Sequence, residues 1–187
     1  MRVLVTVLVI VALVLLALWG MRRGWANRRA GTAAVVPALP VAPPEGEGPG
    51  TLGRARTEPI EATYVSSTRA GDWLDRVVAH DLGTRSPALV QVRDAGVLVR
   101  RTGAREVFVP AGSLRAVGTA PGQAGKFVGR DGLVVLTWST GPDDERGLDT
   151  GLRVRRRADR ARLVAAATTL ISQNPPPAAP QAQKEQS

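Results

Sequence analysis

Cysteine is absent from this chain of 187 residues. That excludes disulfides, thiolate metal centres, thiol catalysis and a lipid-modified cysteine anchor, and it leaves the redox state of the compartment unreadable. Aromatic residues make up only 4%, too few to stack bases, and no nucleic-acid-binding motif is present, so no nucleic-acid partner is expected. Histidine occurs once, as His80. An imidazole acid–base pair or metal site would therefore need carboxylate partners, and none stands at a telling spacing. Lysine is nearly missing too: Lys126 and Lys184 are the only two, and the net charge of +9 is carried almost wholly by arginine. Such a balance favours anionic partners, although Ala, Val, Gly, Pro and Arg are also the residues that GC-rich codons favour.

What is present begins with an uncharged apolar run at residues 3–21, interrupted only by Thr6 and Gly20. As a helix it spans about 28 Å, close to the roughly 30 Å hydrocarbon core of a bilayer. Trp19 and Trp25 stand where an interfacial aromatic belt falls, and Arg22, Arg23, Arg28 and Arg29 follow the run, against Arg2 and the terminal amine before it. The expectation is a single-pass anchor in the cell (inner) membrane, N-terminus outside and C-terminal domain cytoplasmic. A cleaved signal fits less well, because its charge precedes the apolar run and a small-x-small site follows it. A buried core helix fits least, for want of a polar face.

Residues 1–29 are thus read as anchor and basic juxtamembrane segment. Residues 30–50 (AGTAAVVPALPVAPPEGEGPG) form a Pro/Gly/Ala linker without apolar period, expected as a semi-extended spacer. Residues 174–187 (NPPPAAPQAQKEQS) read as a disordered tail. Folded structure is left to residues 51–173. Short β-prone runs at 62–67, 88–92, 96–100, 106–109, 114–119, 133–138 and 151–155 are separated by turn residues. In 96–100, alternation of Val97 and Val99 with Leu98 and Arg100 predicts one wet face, whereas the continuous run 133–138 predicts the best-buried strand. Residues 72–80 predict a short helix carrying Trp73, Leu74, Val77 and Val78 behind an Asp72 cap. Residues 159–172 predict a second, capped by Asp159, with Leu163, Ala167, Leu170 and Ile171 as its apolar stripe and Asn174-Pro175 as its stop.

Antiparallel strands followed by one amphipathic helix predict a mainly-β (α+β) split barrel closed by that helix. The strings TYVSSTRAGDWLDRVVAHDLGTRSPALVQVRDAGVLVRR, FVPAGSLRAV, AGKFVGRDGLVVLTW and LDTGLRVRRRAD carry a resemblance. Over residues 51–173 plus the anchor, the chain resembles actinobacterial single-pass membrane proteins with a bacterial PH-like (pleckstrin-homology-like) domain, sometimes labelled transporter or export proteins. The resemblance implies the PH-like fold. None of the strings is a catalytic signature.

Several residues invite a chemical role. Asp143, Asp144 and Glu145 form an acidic trio without EF-hand spacing, read as a solvated hairpin tip. Gly125, Gly129 and Gly132 lack the phosphate-loop order and read as turn glycines. Ser66, Ser67 and Asp75 occur without a nucleophile elbow. No catalytic residue, metal ligand or cofactor site is assigned. Arg153, Arg155, Arg156, Arg157, Arg160 and Arg162 crowd the junction of the last strand and the closing helix, with Asp149 and Asp159 neutralising part of the field; Arg100, Arg101 and Arg105 suggest another patch. Arginine binds phosphate bidentately, so the main cluster is the candidate contact for anionic phospholipid headgroups or a protein partner. The function expected is a membrane-tethered, non-enzymatic PH-like binding module at the cytoplasmic face. The alternative is an accessory subunit of a transporter or envelope complex whose helix makes the decisive contacts.

Overall fold

The computed structural model describes residues 7, 10–24, 36, 38–123, 126–127, 132–141 and 144–175. Among these residues the folded part has nine strands: β1 (Ile60–Arg69), β2 (Ser86–Arg93), β3 (Gly96–Arg101), β4 (Val107–Pro110), β5 (Leu114–Ala120), β6 (Gly122–Gln123), β7 (Lys126–Phe127), β8 (Leu133–Trp138) and β9 (Leu148–Val154). A helix, Arg157–Gln173, closes it. Seven strands form one antiparallel sheet in the order β4-β3-β2-β1-β9-β8-β5, and β6 pairs with β7 as a separate ribbon. A twisted sheet of this kind curls into a half-barrel and leaves an open side with an apolar interior.

β1 is the hinge of that curl. Between Tyr64 and Ser66 its register against β9 shifts by one residue, and such a bulge bends the strand. Its first half pairs with both β2 and β9, but β2 ends its pairing at Tyr64 opposite Ser86. The β1–β2 loop occupies the vacated edge: Ser67 N–H donates to Leu82 O at 2.8 Å and Val77 N–H to Ser67 O at 3.0 Å. Val77, Ala79 and Leu82 thereby plug the core. Tyr64 donates to Leu82 O at 3.0 Å, so its oxygen accepts from Ser67 Oγ at 2.8 Å. Ser67 in turn accepts from Thr150 Oγ1 at 2.7 Å, and Thr150 from Trp138 Nε1 at 2.9 Å. The chain of donors joins β1, β8, β9 and the loop and satisfies the buried hydroxyls of Tyr64, Ser67 and Thr150.

The C-terminal helix buries Leu163, Ala167 and Leu170 against the half-barrel, with Ile171 packed at their margin, as its spacing predicts. Each buried leucine is worth roughly 2 kcal/mol. Its start differs from expectation: the N-cap is Arg156, which makes no side-chain capping bond, and Asp159 lies inside the first turn. There it still favours the positive end of the helix dipole. Asn174 closes the other end, its side-chain amide donating to Leu170 O at 3.1 Å.

Four further expectations are corrected. Residues 72–80 are not a helix; apart from a 3-10 turn at Ala79–Asp81 they are loop. Pairing Val77 with β1 satisfies the backbone better than a helix of two turns could. The face of β3 expected to be wet is covered at Leu98, which packs with Leu52 and Phe108. The supposed spacer is packed as well, with Ala42 against that cluster. Val36 is fully buried in the main core and Leu39 packs against it, while Glu45 bridges Arg93 and Arg100. Apolar side chains on an extended segment can bury against a sheet without any periodicity of their own, so composition alone mistook this stretch for a free linker. Finally, β8 is not the best-buried strand: four of its six residues are buried, against five of six in β3, five of seven in β9 and seven of ten in β1.

Residues 10–24 are helical and exposed. Among the described residues no helix is long and apolar enough to cross a membrane. The rest of the expected anchor (residues 3–6, 8 and 9), Trp25, Arg28, Arg29 and the tail from residue 176 onwards lie outside the described residues. Of the flanking arginines, Arg23 stacks over Trp19 at 5.4 Å from the ring centroid.

Candidate binding surface

The arginine cluster survives folding as a cluster because strand and helix meet there. Arg153 projects from the outer face of β9, the chain leaves the sheet at Arg155, and Arg156 and Arg157 start the helix; all four are exposed. Arg155 pairs with Glu61 at 3.0 Å, an exposed bridge of little net energy. Arg162 pairs with Asp159 at 3.5 Å, and Arg160 is half-buried. Arg153, Arg156 and Arg157 have no carboxylate within bridging distance among the described residues. Two of them sit at a helix N-terminus whose backbone N–H groups receive no side-chain cap. Positive charge there is unfavourable on its own, since it adds to the positive end of the dipole, and an anion would relieve both.

The second patch dissolves. Arg100 turns to Glu45 and Glu106, and of the three only Arg105 is exposed without a carboxylate partner among the described residues. Arg101 is buried: its guanidinium lies 3.8 Å from the centroid of the Tyr64 ring and donates to Ser86 Oγ, Arg105 O, Asp81 O and Thr84 O. It holds a turn together and is not a surface charge.

The acidic trio is not a solvated tip either. Asp143 lies outside the described residues and Glu145 is exposed, but Asp144 is tucked in. It accepts from Gly147 N at 3.0 Å, from Thr140 N and Oγ1 at 3.1 and 2.8 Å, and from Arg69 at 3.1 Å. The loop before β9 folds around it, and Gly147 must be glycine, because at φ +80° a Cβ would lie 2.6 Å from Trp138 O. Burial pushes the Asp144 carboxyl up, but these hydrogen bonds and the Arg69 charge outweigh it and hold the group below its ordinary 3.8. The stabilisation is therefore complete above that unfolded value and is lost as pH falls through the lower folded one. Asp144→Asn should cost about 1–3 kcal/mol near neutrality, since its amide faces donors. Thermal melts as a function of pH should show the variant losing less stability on acidification than the parent.

The remaining candidates do not assemble into a reactive centre. His80 stands in the left-handed region at φ 53° within the 3-10 turn rather than at a helix end, and its Nε2 meets Val36 O at 2.7 Å. Ser67 is committed to the hydroxyl chain, Ser66 Oγ is buried without a partner, and Asp75 faces Arg146 at 3.8 Å on the surface. Gly132 precedes β8 and no helix follows it; Gly125 and Gly129 lie outside the described residues. No three His, Asp or Glu side chains converge on a common point among the described residues.

Two features went unseen in the sequence. A shallow cleft of about 320 Å³ runs over the outer face of β5, β8 and β9, lined by Thr68, Trp73, Val117, Val135, Thr137 and Asp149. Trp73 and Leu74, read as core residues of a helix, are instead exposed on the β1–β2 loop. The usable signal was Gly71-Asp72. Asp72 Oδ1 accepts from Leu74 N at 3.0 Å and Asp75 N at 3.3 Å, the turn an aspartate makes when no helix continues.

An antiparallel half-barrel plugged at one end and closed by a helix, with Arg101 the one buried charged residue among those described, defines a small β-scaffold of the kind that binds partners at its surface. A family model described as bacterial PH domain-like matches residues 36–168, and the chain belongs to that family. The match starts at Val36, the first core residue among those described, ahead of the expected boundary at residue 51. PH-like domains are generally non-catalytic binding modules. The match bears on this domain alone and does not extend to the N-terminal segment. No curated protein matches the chain.

Proposed function

We propose that this protein is a membrane-tethered, non-enzymatic binding module whose domain stands at the cytoplasmic face and docks an anionic partner group at the β9–helix junction. The observation that carries the docking site is the trio Arg153, Arg156 and Arg157, exposed, without carboxylate partners among the described residues, and grouped at an uncapped helix start. Support for the tether comes from the sequence: residues 3–21 hold no charge and arginines follow them. The anionic group is a carboxylate-rich protein segment or a phospholipid headgroup, which present the same chemistry to arginine.

Photo-crosslinking from position 156 of the full chain in native membranes separates the two sources. A discrete protein adduct identifies a partner, and lipid adducts identify headgroups. Either adduct should fall at least tenfold when Arg153 and Arg157 are changed to Ala together, and should weaken as ionic strength rises. Undiminished crosslinking in that variant would show that the arginines are only a solvated face. Protease added outside intact cells should leave the domain untouched.

A further inference from the structure

A single exposed leucine is ordinary on a protein surface; the place of Leu89 is what marks it. Among the described residues it is the only large apolar side chain left exposed on any strand, at 47%. The outward apolar residues of the next two strands are not left so: Leu98 of β3 and Phe108 of β4 pack with Leu52 and Ala42. Thr57 occupies the end of β2, accepting from Gln91 Nε2 at 3.2 Å and from Val92 N–H at 3.1 Å. The chain then enters β1. Leu89 stays bare, with the exposed ring of Pro87 beside it on the same face of β2.

Strand pairing sets this patch next to the arginine cluster. Arg153 of β9 stands opposite Thr63 of β1, and Thr63 opposite Pro87 of β2. The row crosses the outer face from charge to apolar surface in two strand spacings, roughly 10 Å. The charges around Leu89 are matched to one another. Glu61, opposite it on β1, pairs with Arg155, and Arg100, opposite it on β3, pairs with Glu45 and Glu106. One end of the surface is thus apolar with a balanced rim, and the other is cationic, where Arg153, Arg156 and Arg157 gather.

A phospholipid headgroup accounts for the cationic end alone. Glu45, Glu61 and Glu106 border the apolar end, and an anionic leaflet would repel them. A peptide suits both ends. An extended chain covers the distance in about three to four residues, so one segment can set a carboxylate on the arginines and an apolar side chain on Leu89.

Resting on the anionic-docking reading, we infer that the occupant of the β9–helix junction is an extended acidic protein segment that also carries an apolar side chain, seated on Leu89 and Pro87 across β1 from the arginines. The carboxylates answer the charge, and the apolar residue fixes the register and direction of the segment.

The probe is a phage-displayed library of short random peptides, selected on the full chain in a neutral detergent. The expected result is enrichment of sequences that hold Asp or Glu with Leu, Ile, Val or Phe three to four positions away. The most enriched peptide, made synthetically, should bind Leu89→Ser about tenfold more weakly. Changing Arg153 and Arg157 to Ala together should weaken it at least as much. Leu89→Ser should leave the melting temperature unchanged, because the side chain is already exposed. Acidic sequences with no apolar position, or a peptide indifferent to Leu89→Ser, would overturn this inference and leave the docking role of the arginines standing. No arginine-dependent enrichment at all would overturn it as well, and the docking reading would then stand or fall with the crosslinks from position 156, where lipid adducts make the occupant a headgroup.

Discussion

Arg101→Met destabilises the domain by about 3 kcal/mol, because it orphans buried or half-buried acceptors while keeping most of the side-chain volume. The guanidinium donates to the carbonyls of Asp81, Thr84 and Arg105 and to Ser86 Oγ. It thereby clamps a turn in which His80 and Asp81 both adopt positive φ, at 53° and 61°, conformations that non-glycine residues hold only under restraint. Hydrogen exchange in residues 79–84 should rise with the loss of stability, whereas Arg105→Met, at an exposed site, should leave both unchanged. The same variant should be visible in the ultraviolet titration of Tyr64, the only tyrosine. Burial pushes its phenol up to about 12, partly offset by the Ser67 hydrogen bond and by the Arg101 and Arg76 charges, so removing Arg101 should drive it higher. The sign for stability follows: the buried neutral phenol stabilises fully below the unfolded value of 10.0, and that contribution is lost as pH rises through the folded value.

Trp138→Ala should cost about 3–5 kcal/mol, the range for emptying a large aromatic site in a packed core. Trp138 is fully buried at the end of β8, opposite both Leu114 of β5 and Leu148 of β9. Its indole N–H is also the terminal donor of the chain that runs through Thr150 and Ser67 to Tyr64. A domain of this size has about 5–15 kcal/mol in hand, so the variant should melt far below the parent or fail to fold. Trp138→Phe separates the two contributions: it keeps most of the volume and loses the donor, for a cost of about 1 kcal/mol. Chemical denaturation followed by circular dichroism measures all three proteins. Equal losses in the Ala and Phe variants would mean that the hydrogen bond, not the packing, dominates at this site.

Strand positions were legible because their signal is local. Val97, Val99, the run 133–138 and the Leu163, Ala167, Leu170 stripe each announce a period that the backbone must respect. The burial of Val36 and Leu52 was not legible, since nothing in a Pro- and Gly-rich segment says which sheet it will lie across. Arg101 could not be told from Arg100 by sequence either. Adjacent residues of a strand point to opposite faces, and which face turns inward at the turn end depends on Tyr64, 37 positions earlier, lying beneath it. The same limit applies to Asp144, whose donors come from Thr140, Gly147 and the distant Arg69.

By itself the sequence determined the mainly-β class, the closing helix, the concentration of arginine at its start and an uncharged N-terminal run, all properties of neighbouring residues. Tertiary structure alone decided which arginines stay exposed, that the helix predicted for residues 72–80 opens into a loop lifting Trp73 and Leu74 into solvent, and that the chain meets the domain at that loop. The physical reason is that burial and pairing are set by partners far away along the chain, while periodicity records only which way each side chain points on its own element.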